Sequence, residues 1–298
     1  MKLQSAQPGI GATYEEHEMK VGVGIFATDY TIDLGDLAVM AEESGFESLL
    51  VPEHTHIPLS RKSPWPGGAP LPDEYYHTFD PFVSLSFAAA RTKRILLGTG
   101  ICLLPQRDTI TTAKSVASLE RLSGSRFLFG VGAGWNQDEL EHHGADFKSR
   151  FKKLEEQLEA CRLLWGDAPA QFEGRHVQFT ESVCSPKPLK RVPILIGGES
   201  DHTLRRIAQL ADGWLPRARH GFDAKKEMAR LQGIAEREHR DPSEITTTIF
   251  GAPSDPAILE GYRQAGVDRA IIMLRSESSD VVRKRLESIA AELSGHFL

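Results

Sequence analysis

The chain alternates between short runs of β-branched and apolar residues and longer amphipathic runs. In the first pair, residues 21–26 predict a strand, and residues 33–44 place Leu34, Leu37 and Ala41 on one face of a helix. Strands are predicted at residues 21–26, 48–51, 95–99, 127–131, 194–196, 213–216, 245–250 and 269–273. A helical run follows each of them, so the pattern indicates repeated βα units.

Eight βα units in one chain predict a TIM (β/α)8 barrel, because crossovers between parallel strands are right-handed and close the sheet. We expect one barrel domain over residues 19–298, preceded by an N-terminal extension at residues 1–18. Two insertions interrupt the repeat. Residues 170–180 predict a hairpin, and residues 55–80 form a Pro/Gly-rich connection. Connections of that length in compact domains are usually functional or mobile.

Composition argues against several classes of function. The formal net charge is −6 and no basic stripe is visible, which argues against a nucleic-acid partner. No apolar run is long enough to span a bilayer, and the first residues carry Glu15, Glu16 and Glu18 instead of the apolar segment of a secretory signal. The three cysteines lack metal-binding spacing, which fits a reducing cytoplasm.

Candidate chemistry should lie where the strands end, because TIM barrels place their active sites at that face. The second strand ends in Glu53-His54-Thr55-His56. His54 can contact a ligand there, or it can simply satisfy loop carbonyls. His54 and His56 also form an H-x-H pair of the kind that binds metals. The fifth and eighth strands end without further His or Asp, so no metal site is expected.

Glycines follow the next three strands. Gly98 and Gly100 indicate a bulge or a close approach to a ligand, or simply a tight exit from the strand. Residues 132–135 (GAGW) leave bare backbone on which a flat ring could lie, although their spacing alone is a weak dinucleotide motif. Residues 197–200 (GGES) run into a helix, an arrangement that suits a phosphate or an ordinary helix cap.

Taken together and in order, these segments resemble the luciferase-like family of flavin and deazaflavin oxidoreductases. The resemblance covers about residues 19–293. It is carried by residues 48–54 (SLLVPEH), 97–101 (LGTGI), 121–135 (RLSGSRFLFGVGAGW), 193–198 (PILIGG), 211–214 (ADGW) and 265–268 (AGVD). Residues 53–58 (EHTHIP) and 75–81 (YYHTFDP) are similar to the actinobacterial branch that uses coenzyme F420.

The resemblance implies that the tricyclic ring of coenzyme F420, with FMN as the alternative, lies over the barrel mouth. Relatives have a non-proline cis peptide at the bulge that corresponds to Gly100-Ile101. His54 would be the catalytic residue, either orienting the ring or supplying a proton, since imidazole titrates near neutral pH. The implied cofactor contacts are Glu53, Thr99, Gly100, Ile101, Gly132, Ala133, Gly134, Trp135, Gly197, Gly198, Glu199 and Ser200.

Residues 55–80 are a candidate substrate lid, with a static loop or a subunit contact as the alternative. Predicted substrate contacts are His56, Trp65, Tyr75 and Tyr76. Some relatives that oxidise sugar phosphates carry a carboxylate where Trp135 stands, and its absence argues against that substrate class. Trp135 would instead stack on, or wall in, an apolar substrate.

The predicted function is hydride transfer between coenzyme F420 and a small organic substrate. One alternative is an FMN-dependent monooxygenase that uses oxygen. The other is a non-catalytic barrel that binds a flavin or a metabolite. The resemblance also fits a homodimer, because dimers are common in the family.

Overall fold

The computed structural model describes residues 18–68, 70–219 and 221–298, so all of the predicted N-terminal extension except Glu18 lies outside the described residues. The strands are β1 (Lys20–Gly24), β2 (Ser48–Val51), β3 (Leu96–Thr99), β4 (Cys102–Leu103), β5 (Phe127–Gly132), β6 (Ala170–Glu173), β7 (Gln178–Ser182), β8 (Ile194–Gly197), β9 (Gly213–Leu215), β10 (Thr246–Ala252) and β11 (Arg269–Met273). The helices are α1 (Leu34–Glu43), α2 (Pro81–Arg91), α3 (Thr109–Leu122), α4 (Gln137–His142), α5 (Arg150–Trp165), α6 (Asp201–Leu210), α7 (Ala224–Arg237), α8 (Pro256–Gln264) and α9 (Ser279–Leu293).

The parallel strands close into a barrel. Their order around it is β1, β2, β3, β5, β8, β9, β10 and β11, and β11 pairs again with β1. The short strand β4 also pairs with β5, and a cis peptide bond between Gly100 and Ile101 separates it from β3. β3 and β4 are therefore two parts of one barrel strand. The predicted eight-stranded TIM barrel is confirmed.

Aspartates define where several helices begin. Asp33, Asp80, Asp223 and Asp255 each accept a backbone N–H of the following first turn, and Pro81 occupies the first position of α2. α3 begins at Thr109, where Asp108 Oδ1 accepts the Thr111 N–H at 2.7 Å. Among the described helices, none combines the length and the apolar content needed to cross a membrane.

Side chains on the barrel strands alternate between two apolar layers. Leu49, Phe129 and Trp214 point outward and pack in the cluster under the helices. Neighbouring residues point inward, and the inner cluster consists of Leu50, Leu128, Leu195, Leu215 and Ile271. Ile101 and Phe250 pack onto this inner cluster. The barrel is thus filled by side chains, and its upper layer forms the floor of the mouth.

Both insertions have ordered contacts. The predicted hairpin is present as β6 and β7, which pair antiparallel before β8. The 55–80 connection includes a 3-10 turn at Asp73–Tyr76. The C-terminal end of this connection is bonded to the end of the second barrel strand, because Thr78 Oγ1 donates to the His54 carbonyl at 2.6 Å. Nearer its start, the Lys62 N–H donates to Asp138 at 2.6 Å. These contacts hold the connection across the carboxyl ends of the strands.

Substituting Phe129 with Ala should lower the free energy of unfolding by about 3–5 kcal/mol, because the cavity left behind can close only partly. Phe129 is 0% exposed, and its ring packs beside those of Phe82, Phe127 and Trp165. Urea denaturation would measure the change. Leu122→Ala is the control, because that side chain is 79% exposed. Equal losses in the two variants would contradict this account of the core.

Candidate active site at the barrel mouth

A cavity of about 330 Å³ opens at the carboxyl ends of the barrel strands. Seven of the eight strand positions contribute to its walls, together with the 55–80 connection and the start of α5. The lining residues are Phe26, Pro52, Glu53, His54, Tyr75, Gly100, Ile101, Leu103, Gly132, Ala133, Gly134, Trp135, Phe151, Gly197, Gly198, Thr203, Leu215, Arg217 and Phe250. A larger hollow of about 850 Å³ lies at the amino ends of β10 and β11. That end of a TIM barrel serves stability rather than catalysis.

His54 forms a buried pair with Glu139. The imidazole Nδ1 lies 2.9 and 3.0 Å from the two carboxylate oxygens, and the side chains are 6% and 0% exposed. A carboxylate can only accept a hydrogen bond, so the contact places a proton on Nδ1. His54 Nε2 makes no hydrogen bond within the described part of the chain and is left for a ligand. The rings of Tyr75 and Trp135 flank the imidazole, with centroids 4.9 and 6.0 Å away.

Glu53, the neighbour of His54, is engaged by the protein. Its Oε2 accepts the Leu103 N–H at 2.7 Å, and its Oε1 accepts Arg107 Nε at 2.6 Å. Arg107 also donates to Asp80 at 2.5 Å. Burial opposes the charge on Arg107, but the attractions of the neighbouring acidic groups, Glu53 first among them and Asp80 as well, together outweigh burial and raise the guanidinium pKa. Glu53 therefore anchors β4 directly after the bend at Gly100-Ile101.

Bare backbone forms one surface of the cavity. A Cβ atom added to Gly100 would lie 2.7 Å from Phe250 Cε2, and one added to Gly132 would overlap Ile101 Cδ1. Side chains at these positions would collide with the residues that form the floor. Gly198 has a φ of +124°, a conformation that L side chains rarely adopt. The result is a smooth surface that can accept a flat ligand.

A positive charge lies beside this surface. Arg217 follows β9 and places its Nε 3.0 Å from Glu199 Oε1, while Arg219 lies 3.0 Å from Glu199 Oε2. Two guanidinium groups thus share one carboxylate, and the cluster of Arg217, Arg219 and Glu199 has a net charge of +1. Because Arg217 lines the cavity near Gly197 and Gly198, this corner can hold an anionic group.

The 55–80 connection contributes Tyr75 to the cavity wall. The Tyr75 ring packs 4.7 Å from the ring of Phe26, and its hydroxyl accepts Trp65 Nε1 at 3.2 Å. Burial raises the pKa of the Tyr75 phenol above its ordinary value. Trp65 thus lies behind Tyr75, while Tyr76 is 44% exposed and contacts Arg61.

The structure brings most of the predicted site residues together. Those that line the cavity are Glu53, His54, Tyr75, Gly100, Ile101, Gly132, Ala133, Gly134, Trp135, Gly197 and Gly198. The predicted contacts that do not line it are His56, Trp65, Tyr76, Thr99, Glu199 and Ser200. For these six residues, direct contact with a ligand stays a prediction.

Hydrogen bonds to the backbone explain why Thr99 and Ser200 do not line the cavity. Thr99 is buried in the sheet and donates its hydroxyl proton to the Gly130 carbonyl at 2.7 Å. Ser200 caps α6 by accepting the Thr203 N–H at 3.1 Å.

The two histidines of the H-x-H pair have different partners. His54 bonds to Glu139, whereas His56 Nε2 lies 2.9 Å from His142 Nδ1 at the end of α4. The two imidazoles therefore do not converge on a shared point. Among the described residues, no group of three or more His, Cys, Asp or Glu side chains has an arrangement that could hold a metal ion.

Several residues of the site were not predicted from the sequence. Phe26, Arg217 and Phe250 lie at or just after the ends of β1, β9 and β10, so the strand-end rule identifies them once it is applied to every strand. Glu139 gives no such signal. It lies in a run of polar residues at the start of α4, where an acidic side chain is ordinarily exposed.

The sequence matches the family model described as luciferase-like monooxygenase over residues 15–254. The chain belongs to this family. A similar relative is the uncharacterized protein Rv0953c of Mycobacterium tuberculosis, which is 38% identical over 283 residues, 93% of this chain and 99% of the relative. The F420-dependent glucose-6-phosphate dehydrogenase of Nakamurella multipartita is 30% identical over 188 residues, 61% of this chain and 51% of that protein.

A solved structure of this luciferase-like fold is also similar. The monooxygenase RslO1 from Streptomyces bottropensis superposes with a TM-score of 0.77 at 18% sequence identity, over 94% of this chain and all of that one. At this level of identity the likeness shows the fold alone. Within the luciferase-like family the enzymes are oxidoreductases and monooxygenases, so the chain belongs to a family of redox enzymes.

Replacing Glu53 with Ala should destabilise the protein by about 3 kcal/mol, because the largely buried Arg107 charge loses its main partner. Asp80 still contacts Arg107, which places the loss at the lower end of the range for broken buried pairs. Thermal or urea unfolding would measure it. Glu287→Ala, which removes an exposed carboxylate on α9, is the control and should change stability by less than about 0.5 kcal/mol. An unchanged stability of the Glu53 variant would rule out this anchoring role.

Proposed function

We propose that this luciferase-like protein is a coenzyme F420-dependent oxidoreductase that exchanges a hydride between the deazaflavin and a small organic substrate. The main support is the His54–Glu139 pair. It lies in the mouth of the barrel and leaves the other imidazole nitrogen free beside a cavity that is partly lined by bare backbone. A flat ring placed on that surface would lie beside a group able to exchange a proton.

The residues at the mouth fit such a cofactor. The backbone at Gly100-Ile101 and at Gly132 would carry the ring, since both glycines line the cavity and have no side chain of their own. The Gly197-Gly198 backbone and Arg217 would hold the phosphate, because this corner has an excess of one positive charge. When bound, the cofactor supplies two-electron chemistry that side chains lack.

The protein's own contribution is to position a proton and to exclude water. Glu139 keeps the proton on His54 Nδ1, so Nε2 can accept a proton from the substrate or, when the ring is charged, donate one. Glu139 is a positioning residue, since it acts through His54. Phe26, Trp135 and Phe250 surround the site with apolar surface, which limits the access of water.

The choice of deazaflavin over FMN rests on the F420-dependent relative from Nakamurella multipartita and on the segments at residues 53–58 and 75–81. The substrate we propose is a largely apolar molecule rather than a sugar phosphate. The ring centroids of Trp135 and His54 are 6.0 Å apart. Some relatives that oxidise sugar phosphates carry a carboxylate at the position of Trp135.

Titration of the purified protein with oxidised coenzyme F420 and, separately, with FMN tests the proposed function. We expect F420 to bind at least about tenfold more tightly, a difference of ~1.4 kcal/mol, followed by changes in cofactor fluorescence. Tighter binding of FMN would favour a flavin monooxygenase. Binding of F420 without turnover on any acceptor would favour a non-catalytic barrel. Binding of neither cofactor would contradict the proposed function.

Substitutions of the buried pair test the proton-handling role. With an acceptor found by screening, His54→Ala should lower turnover by roughly 10²–10⁴-fold, the usual contribution of a general acid or base. The affinity for F420 should change little. Equal turnover in the variant and the wild type would reject His54 as the catalytic residue.

Glu139→Gln separates charge from geometry. The carboxamide oxygen still accepts the Nδ1 proton, but the negative charge that favours imidazolium is lost. Turnover should therefore fall while substrate KM stays nearly unchanged, because the imidazole keeps its orientation but loses the charge that stabilises its protonated form. Asn136→Ala, which removes the cap of the same helix, is the control for a purely structural effect. Unchanged turnover in Glu139→Gln, or a loss no larger than that of Asn136→Ala, would show that the carboxylate only supports packing.

A further inference from the structure

Tyr75 is a polar side chain of the 55–80 connection that lies in the wall of the barrel-mouth cavity. Its ring packs against Phe26, which follows β1, and against His54, which follows β2. The ring centroids lie 4.7 Å apart in the first contact and 4.9 Å apart in the second. The phenol is therefore a direct neighbour of the imidazole to which we assign proton exchange.

The hydrogen bond between Tyr75 and Trp65 determines what the phenol hydroxyl can do. Trp65 Nε1 lies 3.2 Å from Tyr75 Oη. An indole N–H can only donate, so the phenol oxygen is the acceptor in this contact. Within the part of the chain that the structure describes, the hydroxyl proton itself has no acceptor. The Tyr75 hydroxyl is thus held in place by Trp65 and can still donate one hydrogen bond.

The Tyr75 hydroxyl lies within electrostatic reach of the far side of the cavity. In the closed barrel of eight strands, β3, β5 and β8 separate β2 from β9, so these two strands lie on opposite sides of the rim. Arg217 follows β9 and lines the cavity, as Tyr75 does. The charge of this guanidinium acts on the phenol across the mouth.

The phenol keeps its proton near neutral pH. Burial raises the pKa of Tyr75 above its ordinary value, and the Glu74 carboxylate adds to the rise. The hydrogen bond from Trp65 and the charge of Arg217 oppose this rise without cancelling it. A protonated phenol can serve as a hydrogen-bond donor to a ligand in the cavity.

Much of the wall near this hydroxyl is apolar. Phe26, Trp135 and Phe250 line the cavity, and the Glu53 carboxylate is already bonded to the protein. A donor in such surroundings is left unpaired when the ligand beside it has no acceptor, and this cost makes the site reject purely apolar ligands. The geometry therefore favours a substrate whose apolar body carries an oxygen that accepts a hydrogen bond.

We propose that Tyr75 is a specificity-determining residue that donates a hydrogen bond to a carbonyl oxygen of the substrate. This inference rests on the proposed function, because the substrate must lie beside a cofactor ring in the barrel mouth. It narrows the substrate class from largely apolar molecules to largely apolar carbonyl compounds. Trp65 is a positioning residue, since it acts through the Tyr75 hydroxyl.

The test uses two probes of nearly the same shape, cyclohexanone and methylenecyclohexane, in which a CH2 group replaces the oxygen. Each is titrated against the full-length protein loaded with oxidised coenzyme F420, with cofactor fluorescence as the readout. Tyr75→Phe removes the hydroxyl and keeps the ring. It should weaken the binding of cyclohexanone by roughly three- to tenfold, the usual range for one hydrogen bond, and should not weaken the binding of methylenecyclohexane.

Infrared spectra of bound cyclohexanone give a second readout, because a hydrogen bond lowers the frequency of the carbonyl stretch. This lowering should be present in the wild type and lost in Tyr75→Phe. Tyr76→Phe is the matched control, since it removes the same hydroxyl from the next residue, which is 44% exposed and does not line the cavity. It should leave the affinities for both probes and the carbonyl frequency unchanged.

Three results would overturn the specificity role of Tyr75: equal losses for the two probes in Tyr75→Phe, an unchanged affinity of that variant for cyclohexanone, and failure of cyclohexanone to bind the loaded wild type. All three leave the deazaflavin assignment intact, because loading with coenzyme F420 is measured first and separately. Failure of the wild type to bind coenzyme F420 would overturn the proposed function and this inference with it.

Discussion

Closure of eight parallel strands is the constraint on which the rest of this molecule depends. All eight carboxyl ends meet at one rim, and the inner cluster around Leu50, Leu195 and Ile271 fills the barrel below it. Ile101 and Phe250 end this cluster and become the floor of the cavity. A single packing arrangement thus stabilises the fold and shapes the surface on which a ligand can lie.

Two buried carboxylates near the rim have different tasks because they have different partners. Glu53 binds Arg107, whose charge is permanent, and a backbone N–H on β4. Its bonds hold the bent strand in place. The Glu139 carboxylate bonds instead to His54 Nδ1, and imidazole is a group that can take up and release a proton. The first pair serves stability, and the second leaves a titratable group facing the cavity.

Local signals in the sequence were sufficient to predict the barrel. The bounds of β2 match the predicted ones, and Asp80 followed by Pro81 is a local signal for the start of α2. Local periodicity cannot show that one barrel strand is interrupted, so β4 was not predicted. The glycine segments were placed at the cavity because the carboxyl ends of all barrel strands meet there.

The pairings at the site depend on tertiary contacts. Glu139 lies 85 positions from His54 in the sequence, and its burial follows from how α4 packs over the mouth. His56 was grouped with His54 by spacing alone, yet the chain turns it toward His142. Spacing indicates which residues are near in sequence, whereas the partner of a polar side chain is set by the packing of distant elements.

A crystal structure of the complex with oxidised coenzyme F420 tests the central claim most directly. The account predicts the deazaflavin ring on the Gly100-Ile101 backbone, with His54 Nε2 about 3 Å from the ring or from a substrate atom bound against it. His54 Nδ1 should remain bonded to Glu139. A ring bound elsewhere, or an imidazole whose Nε2 is taken up by protein groups, would contradict it.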